Sequence, residues 1–141
     1  MTSNELKDIV TDYKESLFMD EASKQLVNES TSQVEEEVKK LKVGDVKDYT
    51  KDILKRLVSC HPNVTFAGIS DTSGNAFEFS EHVSSSIDIS FRHHFKEALK
   101  GMTYVTEPYV SMINNDYCVS IAVPVMINNR VGGVLIADVS L

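Results

Sequence analysis

"YCVSIAVPVMINNRVGGVLIADVSL", residues 117–141, decides the fold. Two runs rich in Val, Ile and Ala, 117–127 and 131–141, flank the polar stretch 128–130. Asn-Asn and Asn-Arg beside Gly are tight-turn chemistry, so the stretch reads as two long strands joined by a short turn. Upstream the same period of about two recurs from Pro62 onward. "VTFAGIS" (64–70) is a strand and "AFEFS" (76–80) pairs back on it as a hairpin. Between them "DTSGN" (71–75) is a turn, with Gly74 where a positive φ is needed. "TYVTEPYVSMI" (103–113) is the fifth strand, ending in a turn at "NND" (114–116).

Before Pro62 the period is helical. Leu6, Ile9, Val10, Tyr13, Leu17 and Phe18 recur at three- and four-residue spacing, and Ala22, Leu26, Val34, Val38 and Leu41 extend the stripe. "VGD" (43–45) breaks it. Asp45 is placed to cap a second helix carrying Val46, Tyr49, Ile53, Leu54, Leu57 and Val58, which "CHPN" (60–63) ends. A Ser-rich stretch (82–90) leads into "DISFRHHFKEALKG" (88–101), a short amphipathic helix in the crossover between strands. The expected architecture is α+β: a five-stranded antiparallel sheet with long N-terminal helices on one face. Segment 81–107 covers the other face and leaves a cavity beneath it. Residues 1–60 form the helical part and 61–141 the sheet module, one structural domain overall.

The bulk properties set limits. With 141 residues, 42% hydrophobic and 25% charged, the chain can bury a core as a single domain. It has no apolar run long enough to span a bilayer, and "MTSNELKDIV" lacks the basic and apolar regions of a signal peptide. A net charge of -7, concentrated before residue 52, argues against nucleic acid or anionic lipid as the main partner. Cys60 and Cys118 are too few for a disulfide framework or a metal site and read as two small buried hydrophobes. A bridge between them is open if the chain works outside the cytosol.

No catalytic residue and no metal ligand is assigned. HExxH, CxxC and a glycine-rich phosphate loop are all missing from the sequence, and Cys118 sits mid-strand with no oxyanion elbow near it. His93 and His94 project about 100° apart around a helix, which is poor geometry for a shared metal.

The opening of the short helix carries the chemistry. A guanidinium is permanently charged and grips a carboxylate through two parallel hydrogen bonds, and a helix start adds unpaired N–H groups. Phe91, Phe95, Ala98 and Leu99 share the inward face, which leaves Arg92, His94 and Phe95 to line the cavity mouth. His94 can donate a hydrogen bond and titrate near neutral pH. Plainer readings stand beside these. Arg92 can pair with Asp88 or Asp138, His93 faces solvent, and His94 can be a hydrogen-bonded core residue. Tyr104 and Tyr109 can be sheet aromatics, Asp71 belongs to its turn, and Glu78 is solvated. Asp138 among apolar neighbours is odd for a core position, so it needs a partner or a site.

From about residue 62 to 141 the chain resembles the Cache family, also called the PDC fold, of bacterial and archaeal sensor domains. The resemblance rests on "ISDTSGNAFEFS", "DISFRHHFKEALKG", "TEPYV" and "SIAVPVMINNRVGGVLIADVSL", in that order. It implies a PAS-like sheet and a small-molecule sensor that signals to a kinase, chemotaxis or cyclic-dinucleotide module, through a downstream domain or partner. It also implies that Arg92 binds a ligand carboxylate and that His94 and Phe95 fill an aromatic pair. Tyr109 then closes over the ligand, and Asp138 accepts the amine in amino-acid-binding members. Those members carry an aspartate where this chain has Ser111. The departure favours a simple carboxylate or other small polar anion over an α-amino acid. No cofactor is implied, and the N-terminal helices are candidates for a homodimer interface. The expected location is extracytoplasmic if the chain is excised from a receptor and cytoplasmic if it is complete. Two other readings compete: a ligand-free interaction module of profilin- or roadblock-like architecture with a solidly packed sheet, and a GAF- or PAS-type cofactor binder, for which no haem or bilin motif is present.

Overall fold

The computed structural model describes residues 19–111 and 115–141. The expected stripe from Leu6 to Phe18 and the end of the expected strand at 112–113 lie outside the described residues. The chain order is α1 (Glu21–Lys40), a 3-10 turn (Val46–Asp48), α2 (Lys51–Cys60), β1 (Val64–Ser70), β2 (Asn75–Phe79) and β3 (Ile87–Asp88). It continues with α3 (His93–Leu99), β4 (Tyr104–Val105), β5 (Tyr109–Val110), β6 (Tyr117–Ile127) and β7 (Arg130–Ser140).

Asp20 starts α1 by accepting a hydrogen bond from the Ser23 N–H at 2.8 Å. Asp45 does not cap the second helix as the sequence suggested. It accepts from the Lys47 N–H at 2.9 Å, while Asp48 accepts from the Asp45 N–H at 3.2 Å, and the two close the 3-10 turn. Tyr49 then turns to an extended conformation and Thr50 caps α2 instead. The apolar stripe hid this break because Val46 and Tyr49 stay buried on both sides of it.

The sheet is antiparallel, in the order β3-β2-β1-β7-β6-β4, with β5 also paired to β6. The expected strand at 103–113 is split into β4 and β5 around Pro108, which has no N–H to give to a ladder. The added two-residue strand β3 sits on the far edge beside β2. The β6–β7 turn is a two-residue loop, with Ile127 opposite Arg130 and Asn128 and Asn129 at φ 52° and 63°. Two positive φ values match the twist of the flanking strands. Val125 pairs with Gly133 but Met126 pairs with Val131, so Gly132 is an extra residue that shifts the register by one.

Beyond this bulge the pleat assigns the two faces. Val119, Ile121, Val123, Leu135, Ala137 and Val139 face the helices and pack with Val34, Val38, Leu54 and Leu57 in one core. The opposite face meets α3 through Phe95, Ala98, Ala122 and Val134. Phe66, Ala76 and Phe79 form a third cluster beside it. An irregularity between Val64 and Phe66 puts Val64 under the helices and Phe66 on the α3 side, although only one residue separates them. Cys118 is buried and Cys60 is exposed; both are free, so the expectation of two buried thiols fails at the solvent-facing end of α2.

Gly133 lets the 3-10 turn seat directly on the sheet. A Cβ there would lie 2.3 Å from the Ser70 carbonyl oxygen and 2.5 Å from Val46 Cγ1. Gly133→Ala should therefore lower the unfolding free energy by about 2 kcal/mol in urea denaturation, by overpacking.

Candidate functional site

The site begins at the turn between β1 and β2. Asp71 Oδ1 accepts from the N–H groups of Ser73 and Asn75, both at 3.0 Å, and from the Ser73 hydroxyl at 2.6 Å. Gly74 has φ 90°, and a Cβ there would lie 2.6 Å from Ser90 Cα. Its carbonyl accepts from the Ile89 N–H at 2.8 Å. The hairpin tip is thus docked on segment 87–90, which fixes where the chain enters α3.

Arg92 is the residue before α3. Its backbone is extended and its side chain makes no capping bond, so the guanidinium is free to turn toward the sheet. It lies 5.8 Å from the Phe91 ring centroid and 5.9 Å from that of Tyr109, within cation–π range of both. Among the described residues no carboxylate lies within 4.0 Å of it. The alternative in which Arg92 is consumed by a salt bridge to Asp88 or Asp138 does not hold.

Arg92 lines a cavity of about 380 Å³ between the sheet and the segment that crosses it. Phe66, Gly68, Ser120, Ile136 and Asp138 supply the sheet side. Ile87, Ile89, Phe91, His94, Tyr109 and Ser111 supply the cover. The apolar part of the lining is joined by a polar row. The Tyr109 hydroxyl is hydrogen-bonded to Ser120 Oγ, and Ser120 Oγ donates to Asp138 Oδ1 at 2.6 Å. Seven polar or charged residues are buried among those described, and four of them (His94, Ser111, Ser120 and Asp138) line this one cavity, which marks it as the polar centre of the fold. A larger hollow of about 510 Å³, lined by Lys39, Lys42 and Thr103 among others, runs beside the end of α1 but contains none of these buried polar groups.

Burial sets the protonation states. Asp138 is only 4% exposed. Desolvation raises its pKa above the ordinary 3.8, opposed by the Ser120 hydrogen bond and the Arg92 charge. Burial pushes the Tyr109 hydroxyl up to about 12, and the Asp138 charge adds to this. Burial drives His94 down to about 4, helped by the Arg92 and His93 charges, so its imidazole is neutral at neutral pH. That corrects the expectation that His94 titrates near neutrality.

Arg92, His94, Tyr109, Ser111 and Asp138 therefore meet at one cavity. Phe95 does not. Its ring is 2% exposed and packs with Ala98, Ala122 and Val134, because the one-residue step from His94 around a helix turns it into the core. Phe91, expected to pack inward, is 67% exposed at the cavity rim because it precedes the helix and does not follow its periodicity. His93 faces solvent, 3.8 Å from Glu97 and edge-on to Tyr104. Ser120 was missed. It sits in an apolar run, and only the Gly132 bulge brings it opposite Asp138. Among the described residues no cluster of His, Cys, Asp and Glu is suited to a metal ion.

No protein-family model matches the sequence, and no curated protein matches it. The fold does match solved sensory domains. The extracellular domain of rpHK1S-Z16, taken to be a histidine kinase, superposes with a TM-score of 0.69 at 16% identity, over 85% of this chain and 52% of that one. The ligand-binding domain of the Pseudomonas aeruginosa amino-acid chemoreceptor PctC, in complex with GABA, gives 0.62 at 20% identity, over 82% and 57%. The sensor domain of the Vibrio cholerae histidine kinase DctB gives 0.62 at 14% identity, over 92% and 58%. The fold is that of the Cache, or PDC, sensor domains. The chain spans little more than half the length of these solved domains.

A raised carboxyl pKa has a definite sign in stability. Between the unfolded value of 3.8 and its folded value, native Asp138 holds more proton than the unfolded chain does. Its contribution is therefore present below 3.8 and is lost as pH rises through the folded value. Thermal melts across pH should show this component in the wild type and lack it in Asp138→Asn, with the two curves diverging as pH rises in favour of the variant.

Proposed function

We propose that this chain is a small-molecule sensor domain of a signal-transduction system, and that it binds a small carboxylate or related polar anion. One observation carries the reading: an inward-turned guanidinium at Arg92, unpaired with any carboxylate among the described residues, shares a partly apolar cavity with the buried Tyr109–Ser120–Asp138 row. Arg92 takes the carboxylate in a forked pair, strengthened by the low dielectric of the site. The neutral His94 offers a hydrogen bond, Tyr109 flanks the guanidinium with its ring, Ser111 borders the same end, and Ile87, Ile89 and Ile136 accept the apolar part of the ligand. The sensory neighbours, one of them holding GABA, support the same reading. A ligand-free interaction module would fill this space with side chains. We read the site as one for binding and not catalysis. Burial pushes the Cys118 thiol up to about 11, which makes it a poor nucleophile.

Ligand contact with Arg92 and Tyr109 would draw the cover onto the sheet. The shift reaches the N-terminal helices only through a difference in affinity between open and closed forms. A homodimer through those helices and a downstream signalling partner complete the proposal.

A thermal-shift screen with small carboxylates tests it. A ligand at a hundred times its Kd adds about 2.7 kcal/mol of stability and raises the melting temperature by a few degrees. Arg92→Ala should abolish that rise and leave the unliganded melt nearly unchanged, since among the described residues the side chain has no salt bridge to lose. A less stable unliganded variant, with no hits in the wild type, would give Arg92 a structural role instead.

A further inference from the structure

The second charged group of the cavity bears on what can enter with the anion. Asp138 has a single side-chain donor among the described residues, Ser120 Oγ, and that hydroxyl is itself engaged with Tyr109. Arg92 acts on Asp138 through space without a direct contact. The Arg92 charge favours the ionised form of Asp138, against the desolvation that opposes it. A carboxylate on Arg92 would leave two negative charges and one positive in a buried space. Two carboxylates sharing such a site do not both stay ionised.

We propose that the cavity takes a small carboxylate without a cationic group, and that each such anion enters together with a proton carried by Asp138. This rests on the sensor reading above. The proton comes from solvent and forms an O–H bond on Asp138. No other bond is made or broken. Oδ1 is held by Ser120, which leaves Oδ2 for the proton. The added hydrogen then gives the bound anion a second donor opposite Arg92. The other titratable groups facing the site are unsuited to the task. Tyr109 from β5 and Cys118 from β6 are pushed up to about 12 and about 11 and keep their protons. His94 from α3 is pushed down to about 4 and stays neutral. Asp88, at the cavity edge, is held below its ordinary value by Ser90. Phe66, opposite Asp138 on β1, brings no charge. Asp138 alone among these is a buried carboxyl, and burial raises its pKa.

The experiment is calorimetric titration of the full chain with propionate, in two buffers of different protonation enthalpy, at about pH 5.5 and about pH 8. Uptake approaching one proton per propionate is expected at the higher pH and no more than that at the lower, with affinity weakening by up to about tenfold per unit of rising pH. Asp138→Asn should bind propionate with no proton uptake and a flat pH profile. If that variant fails to fold, Ser120→Ala serves, and its loss of affinity should begin at higher pH than in the wild type. Wild-type binding at about pH 8 without proton uptake overturns the inference and leaves the sensor reading intact. So does uptake that persists in Asp138→Asn. No binding of any small carboxylate at either pH overturns the sensor reading itself.

Discussion

Successive side chains of a strand point to opposite faces, and this constraint makes β6 and β7 serve two interiors at once. Their helix-facing residues, Ile121, Leu135 and Ala137 among them, are fully buried in the main core. The residues between them, Ser120, Ala122, Ile136 and Asp138, face the crossing segment. A sheet buried on both sides can hold a polar row only where the row is internally satisfied. Tyr109, Ser120 and Asp138 go most of the way to that as a chain of hydrogen bonds that ends on Asp138 Oδ1. The packed core thus holds the polar row rigid.

The cover is held by apolar burial and by backbone hydrogen bonds together. It meets the sheet through short contacts: β3 on β2, the Gly74 carbonyl on Ile89, and the Phe95 and Ala98 side chains on Ala122 and Val134. Between these fixed points lies Arg92, placed by the end of an extended segment and not by the helix that follows. Two aromatic rings flank its guanidinium near the cavity, and its charge meets no fixed counter-ion among the described residues. The site therefore joins rigid floor residues to a cation whose position depends on a hairpin tip some distance along the chain.

Much of this was readable from sequence because local chemistry and long-range packing agree. The two asparagines of the β6–β7 turn, Gly74 in its turn and the alternation along 117–141 point to the same structure that the coordinates hold. The Arg92, His94, Tyr109, Ser111 and Asp138 cluster came from a family resemblance, and the structure brings those five to one cavity. What escaped has physical causes. Ser120 is hidden because register counted from the turn is off by one until the Gly132 bulge is known. Phe95 was misplaced because helical phase near a helix start depends on which residue is the first in the helix. The cap at Asp45 failed because a 3-10 turn and an α-helix bury the same two side chains, Val46 and Tyr49.

The contact between Gly133 and the connector of the two helices has a mechanical meaning. With Val46 seated where a single added carbon would not fit, there is no clearance between β7 and the linker joining α1 to α2. Parts without clearance do not slide independently. A displacement of β7 near Val134, which packs under α3 on the other side, would press on the connector between the helices, as a gear tooth without backlash passes on its smallest rotation.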